Sequence, residues 1–173
     1  MKKTEKLINI FLQCRIKSTK KMKTDHKHLS NIVIRKFKME DYKALIVFWN
    51  NAELLYKLKG RDSYDKIERE LKQKNAVFLV AELQGNLIGS VFGTHDGRKG
   101  WINRLAVDPN FRKQGIARML VTEVENRFSE LGIDIVACLI EDWNTKSMQA
   151  FERLGYNKHS DIAYFTKRKN SDV

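Results

Sequence analysis

The chain has 173 residues, 42% of them hydrophobic, with 33 Lys/Arg against 21 Asp/Glu for a formal net charge of +12. That length and apolar content support one domain with a buried core, and no apolar run is long enough to span a membrane. Two distant cysteines, Cys14 and Cys138, and four scattered histidines give neither a disulfide framework nor a metal-ligand spacing, and fit a reducing, cytoplasmic compartment.

A charge of +12 suggests nucleic acid until its distribution is counted. Residues 1–30 hold nine Lys/Arg against two Asp/Glu, a +7 that leaves only +5 for the rest. The excess is a basic N-terminal extension. Its apolar patch, Leu7 to Leu12, is short for a secretory signal and no small-residue cleavage site follows. A basic amphipathic helix touching membrane or nucleic acid, and a solvated extension able to contact polyanions, are the remaining readings. Translation from Met22 would remove most of it.

The domain begins at residue 31. Asn31 to Phe37, rich in β-branched residues, predicts the first strand. Glu40 to Tyr56 carries Tyr42, Leu45, Ile46, Phe48, Trp49 and Leu54 at helical spacing, and a second helix is expected from Lys66 to Lys74 after the break at Gly60–Ser63. Val77–Leu83 and Leu87–Phe92 around Gln84-Gly85-Asn86 predict a hairpin. A polar loop from Gly93 to Gly100 leads to a strand, Ile102 to Val107, which Pro109 ends because proline cannot donate to a ladder. From Ile116, the residues Leu120, Val124, Phe128 and Leu131 recur at three- and four-residue spacing up to Gly132, an amphipathic helix with a glycine cap. Ile133 to Ile140 reads as a parallel strand covered on both faces. Asn144 opens a last helix carrying Met148, Phe151 and Leu154 on one side, Gly155-Tyr156 ends it, and Asp161 to Phe165 is expected as a final strand.

Between the central strand and helix, Arg112-Lys113-Gln114-Gly115-Ile116-Ala117 combines unpaired N–H groups at a helix start, a positive dipole end, cations and a residue without a side chain. A diphosphate suits such a place. The spacing is neither that of a P-loop nor that of a dinucleotide-binding turn. Arg112-x-x-Gly115-x-Ala117, preceded by Leu105-Ala106-Val107-Asp108-Pro109, resembles the acyl-CoA motif of the GNAT superfamily of N-acetyltransferases, over roughly residues 32–157. Asn144-x-x-Ser147 and Ala150-Phe151-Glu152-Arg153-Leu154-Gly155-Tyr156 resemble its second signature.

The resemblance implies an α/β fold with a mixed, mostly antiparallel sheet and one parallel β-α-β crossover. It also implies acetyl transfer from acetyl-CoA to a primary amine by direct attack in a ternary complex; the residue spacing leads us to expect no metal, and the oligomeric state, monomer or homodimer, stays open. The backbone of Gln114, Gly115, Ile116 and Ala117 would hold the pyrophosphate, with Arg112, Lys113 and Arg118 adding charge. The strand Leu105, Ala106, Val107 would pair with the pantetheine arm, and an N–H near Leu105 or Ala106 would polarise the thioester. Asn144, with Ser147, would meet the arm or cap the helix. Where the family often has a tyrosine as general acid, this chain has Phe151, which cannot donate a proton. For the base, Glu141 ranks first, then Asp142, Asp96 and His95. Trp49, Tyr56, Arg61 and Tyr64 fall where acceptor-site walls are expected. Two other readings remain open: a CoA-binding module without turnover, and a nucleic-acid or ribosome-associated protein using the basic extension.

Overall fold

The computed structural model describes residues 31–170. The basic extension and Cys14 lie outside the described residues. In chain order the elements are β1 (Val33–Lys36), α1 (Tyr42–Asn51), α2 (Tyr64–Leu71), β2 (Ala76–Leu83), β3 (Asn86–His95), β4 (Gly100–Val107), α3 (Ile116–Glu130), β5 (Val136–Cys138) and α4 (Thr145–Leu154), with 3-10 turns at Met39–Asp41 and Pro109–Phe111. The strands lie side by side in the order β1-β2-β3-β4-β5; all neighbours are antiparallel except β4 and β5. This is the mixed α/β architecture expected from the sequence.

Helices cover both faces of the sheet, so β2 reads as one apolar run. Successive side chains of a strand point to opposite faces. Leu79 and Ala81 meet Ile116, Leu120, Val124 and Phe128 of α3. Phe78 and Val80 meet Leu45, Phe48 and Trp49 of α1 and Ile67 of α2. The β2–β3 hairpin turns at Gln84 and Gly85, whose φ values of 51° and 78° give the doubly left-handed two-residue turn that matches strand twist.

Several sequence expectations need correction. α1 ends at Asn51, five residues early, because Glu53 adopts φ 59° and the amides of Glu53 and Leu54 bond back to Asn50 and Trp49. This is a left-handed helix cap made without glycine, hence without a sequence signal. α2 starts at Tyr64 and ends at Leu71 rather than spanning Lys66 to Lys74. β3 continues to His95, because Gly93 and Thr94 pair with Val77 and Ala76, so the expected loop shrinks to the turn before Gly100. Leu131 is 59% exposed, since the helix already ends at Glu130 and Gly132 turns the chain.

β5 is three residues long and half-buried, not a strand covered on both faces. Among the described residues it is the last strand of the sheet, and Ile135 and Leu139 beside it are 57% and 55% exposed. The strand expected at Asp161–Phe165 does not form; Ile162, Tyr164 and Phe165 are exposed and pair with nothing in the sheet. A hollow of about 1080 Å³ therefore runs along β5, lined by residues including Trp101, Cys138, Phe151, Tyr156 and Tyr164.

At the other edge, Arg35 of β1 binds Asp41 at 2.9 Å and Glu82 at 2.8 Å. The Arg35 guanidinium, through its hydrogen bond first, holds the Asp41 carboxyl below its usual range. A carboxyl with a depressed folded pKa contributes stability that is present above its unfolded pKa and lost as pH falls through the folded value. Asp41→Asn should thus flatten the acid limb of the urea-midpoint profile below about pH 4, by at most about 1 kcal/mol for so exposed a pair.

Candidate active site

The parallel pairing of β4 with β5 stops at Ile102 opposite Cys138, while β4 continues to Val107. Leu105, Ala106 and Val107 therefore have β3 on one side and, among the described residues, no strand on the other. β4 is also bulged within this stretch: Ser90 pairs with Ala106 and Phe92 with Asn103, so Arg104 and Leu105 together oppose Val91. Arg104 carries φ 52°, a left-handed conformation that costs a residue with a Cβ about 1–2 kcal/mol.

Beyond β4, Asp108 caps the Pro109–Phe111 turn by accepting from the Asn110 amide at 2.8 Å, which sends the chain towards α3. Gly115 is the N-cap of α3 with φ 84°, and a Cβ built on it would meet nothing within 4 Å. Among the described residues, the amides from Gln114 to Arg118 donate to no protein acceptor; the first helical bond to this turn comes from Met119 to the Gly115 carbonyl, 3.0 Å. These successive donors sit at the positive end of a four-turn helix over open space, which fits an anionic group. Arg112 is fixed across the loop, its Nε donating to the Val107 carbonyl at 3.1 Å and Nη2 to the Ala52 carbonyl at 3.0 Å. Lys113 is exposed, Gln114 Nε2 bonds the Asn110 carbonyl, and Arg118 Nη2 bonds the Arg153 carbonyl at 2.7 Å.

Asn144 caps α4: its Oδ1 accepts from the Ser147 amide at 3.1 Å. Phe151 is 7% exposed and belongs to the core. The amides of Gly155 and Tyr156 bond the carbonyls of Glu152 and Phe151, and the Phe151 and Tyr156 rings meet edge to face at 5.0 Å. That is a Schellman cap with its apolar clasp, a structural reason for the Phe151-x-x-x-Gly155-Tyr156 pattern. Tyr156 donates to Glu125 at 2.7 Å, and burial, reinforced by that bond, raises its pKa. Burial pushes the Cys138 thiol up to about 11.

The sequence-ranked bases are dispersed. Glu141 and Asp142 are exposed just past β5. Because β4 and β5 run parallel with Ile102 opposite Cys138, Glu141 lies three residues past that pair, as Leu105 does on β4. His95 and Asp96 lie at the other end, next to Gly100 where β4 begins. Asp96 there accepts from the amides of Arg98 and Lys99 at 2.8 Å, bonds that lower its pKa, and His95 packs edge-on against Phe128. Trp49 is fully buried, with Nε1 donating to Ser90 Oγ at 2.9 Å, while Arg61 and Tyr64 are exposed.

Sequence reasoning passed over Asp62, Ser90, Arg104 and Glu70. Asp62 is 4% exposed and takes both Nε and Nη2 of Arg104 at 2.8 Å. Ser90 Oγ donates to the Arg104 carbonyl at 3.0 Å. Glu70, half-buried on α2 one turn after buried Ile67, has a pKa raised mainly by burial, with Asp62 adding and Arg104 opposing. Glu70 follows Ile67 by three residues on one helix face, but that spacing alone does not separate it from a solvated helix charge.

Among the described residues no group of three or more His, Cys, Asp or Glu side chains could hold a metal ion, and no helix is long and apolar enough to cross a membrane. Solved structures of similar fold include the aminoglycoside acetyltransferase AAC(6')-Iy in complex with a CoA bisubstrate analogue, 18% identical with TM-score 0.66, covering 79% of this chain and 98% of that one. A second is the PaiA N-acetyltransferase of Thermoplasma acidophilum in complex with coenzyme A, 21% identical, TM-score 0.64, covering 70% and 87%. A third is glucosamine-6-phosphate N-acetyltransferase of Arabidopsis thaliana, 18% identical, TM-score 0.65, covering 80% and 99%. Residues 42–156, from the first residue of α1 to the cap of α4, match the acetyltransferase (GNAT) family, and with the open β4 edge leading to the Gly115 turn the chain belongs to that family of acetyltransferases.

Proposed function

We propose that the protein transfers an acetyl group from acetyl-CoA to a primary amine by direct attack within a ternary complex. The observation that carries this reading is the stretch Leu105, Ala106 and Val107 of β4, beside which β5 does not pair, leading into a turn whose amides from Gln114 to Arg118 bond no protein acceptor among the described residues. The amide turn, with Gly115 leaving room, suits the pyrophosphate, and Lys113 and Arg118 add positive charge. Arg112 is committed to two carbonyls, so its part is to shape the loop. The β4 edge suits an extended amide-bearing arm added as a strand, with Asn144 and Ser147 at the start of α4 as its polar neighbours.

The backbone N–H of Leu105 donates to the thioester oxygen, where charge builds as the amine attacks, because the alternation of the ladder from the Asp108–Ile88 bond turns the Ala106 N–H towards Ser90. The N–C bond forms and the C–S bond breaks. An alkyl ammonium with pKa about 10.4 must first lose its proton, and Glu141 is the proposed acceptor of it. The thiolate leaves without a protein acid, because Phe151 has no proton to give and lies in the core; a thiol pKa near 8.5 makes protonation by water adequate. Glu141→Gln should lower kcat/KM for the amine roughly 10²-fold while acetyl-CoA affinity, read by calorimetry, stays unchanged. Glu70→Gln is the parallel variant: a larger loss there than at Glu141 moves the base to α2. Phe151 also motivates a second reading, a CoA-binding module without turnover, for which acetyl-CoA binds and no amine in a broad screen is acetylated.

A further inference from the structure

The β4 bulge is held by contacts that the ladder does not supply. An inserted residue breaks the strand's pairing, and here that residue, Arg104, is left-handed without being glycine. Such a conformation persists only where the surroundings over-determine it. Asp62, on the connection between α1 and α2, grips the Arg104 side chain with both carboxylate oxygens at 2.8 Å. Ser90, itself bonded to Trp49, grips the Arg104 carbonyl at 3.0 Å. The guanidinium lies 5.9 Å over the Trp49 ring.

Asp62 is anchored in turn. Its Oδ2 accepts from the Lys57 amide at 2.7 Å and its carbonyl accepts from the Tyr42 hydroxyl at 2.9 Å. A two-point grip fixes the rotation of a planar guanidinium, which one contact cannot do. Buried ion pairs of this kind are poor sources of stability compared with apolar packing, so fixing a geometry is the better account of this one.

We infer that Asp62 is a positioning residue for acetyl transfer: by clamping Arg104 it holds the β4 bulge so that the next amide, that of Leu105, points at the thioester oxygen. The inference rests on the acetyltransferase reading above.

The test needs no knowledge of the acceptor. Full-length protein is mixed with acetyl-CoA labelled with carbon-13 at the thioester carbonyl, and the isotope-edited infrared spectrum gives the carbonyl stretch of the bound molecule. Wild type should lower that frequency relative to free acetyl-CoA, as a hydrogen bond to the oxygen does. Asp62→Asn, which keeps an acceptor for Lys57 but loses the two-point grip, should return the stretch towards the free value while calorimetric affinity for acetyl-CoA is retained. Arg104→Lys keeps the charge and loses the fork, and should do the same; it decides the matter if Asp62→Asn does not fold. A carbonyl shift unchanged from wild type in the folded variants overturns the positioning role and leaves the acetyltransferase reading standing. Wild type that fails to bind acetyl-CoA overturns both.

Discussion

Gly115→Glu is expected to weaken acetyl-CoA binding at least about 100-fold, some 2.7 kcal/mol, while leaving the fold intact. Gly115 sits at φ 84° and a Cβ there meets no atom within 4 Å, so the new side chain enters open space in front of the amide turn. The carboxylate then competes for the donors and the dipole end that suit a diphosphate, and it repels the phosphates directly. The backbone strain of any L-residue at this φ is about 1–2 kcal/mol, well within the stability of a domain this size. Gly115→Ala carries the same strain without the charge and is the control. Calorimetric titration separates them: near-wild-type binding by the alanine variant and none by the glutamate variant assigns the loop to the anion. Equal affinities for the two variants would mean that the turn does not touch acetyl-CoA.

Phe128→Ala should destabilise the domain by about 3–5 kcal/mol. The ring is fully buried and fills space that two glycines leave open: a Cβ on Gly93 would stand 3.0 Å from Phe128 Cζ, and one on Gly100 would overlap the ring. Gly100→Ala alone should therefore cost about 1–3 kcal/mol through overpacking. A double variant, Gly100→Ala with Phe128→Leu, should recover part of that loss, because the smaller side chain vacates the volume that the new methyl needs. Urea unfolding of the single and double variants measures the coupling. Strictly additive losses would show that the two positions do not share that space. The same packing explains why β3 and β4 run closely under α3 and why Gly93, which reads as a loop residue in the sequence, lies within a strand.

Glu141 is proposed as the base from its place in the sequence, just past the end of an apolar strand and close to where acceptor and thioester should meet. Glu70 is not singled out in that way, because a carboxylate on an amphipathic helix with Lys66, Glu68 and Arg69 looks like one more solvated charge. Only the tertiary contact of α2 with the sheet puts Ile67 in the core and Glu70 partly under cover, where burial raises its pKa. Phe151 shows the converse. Its lack of a hydroxyl was visible at once, and its pairing with Tyr156 in a helix cap is a second local pattern, i to i+5, that the sequence also contained.

What the sequence by itself determined is whatever local periodicity and special residues encode. The span of α3 follows from its apolar spacing and Gly132, the β2–β3 hairpin from Gln84-Gly85, the start of α4 from Asn144, and the anion-suited turn from Gly115 before a helix. What only the tertiary structure decided depends on partners distant in the chain. The short half-exposed β5, beyond which no strand forms among the described residues, and the bulge at Arg104 with its clamp by Asp62 42 residues away have no local signature. The physical reason is the same in each case. A bulge clamped from another element, a strand edge or a buried ion pair is stable only against a neighbour that folding brings to it, and periodicity along the chain carries no record of that neighbour.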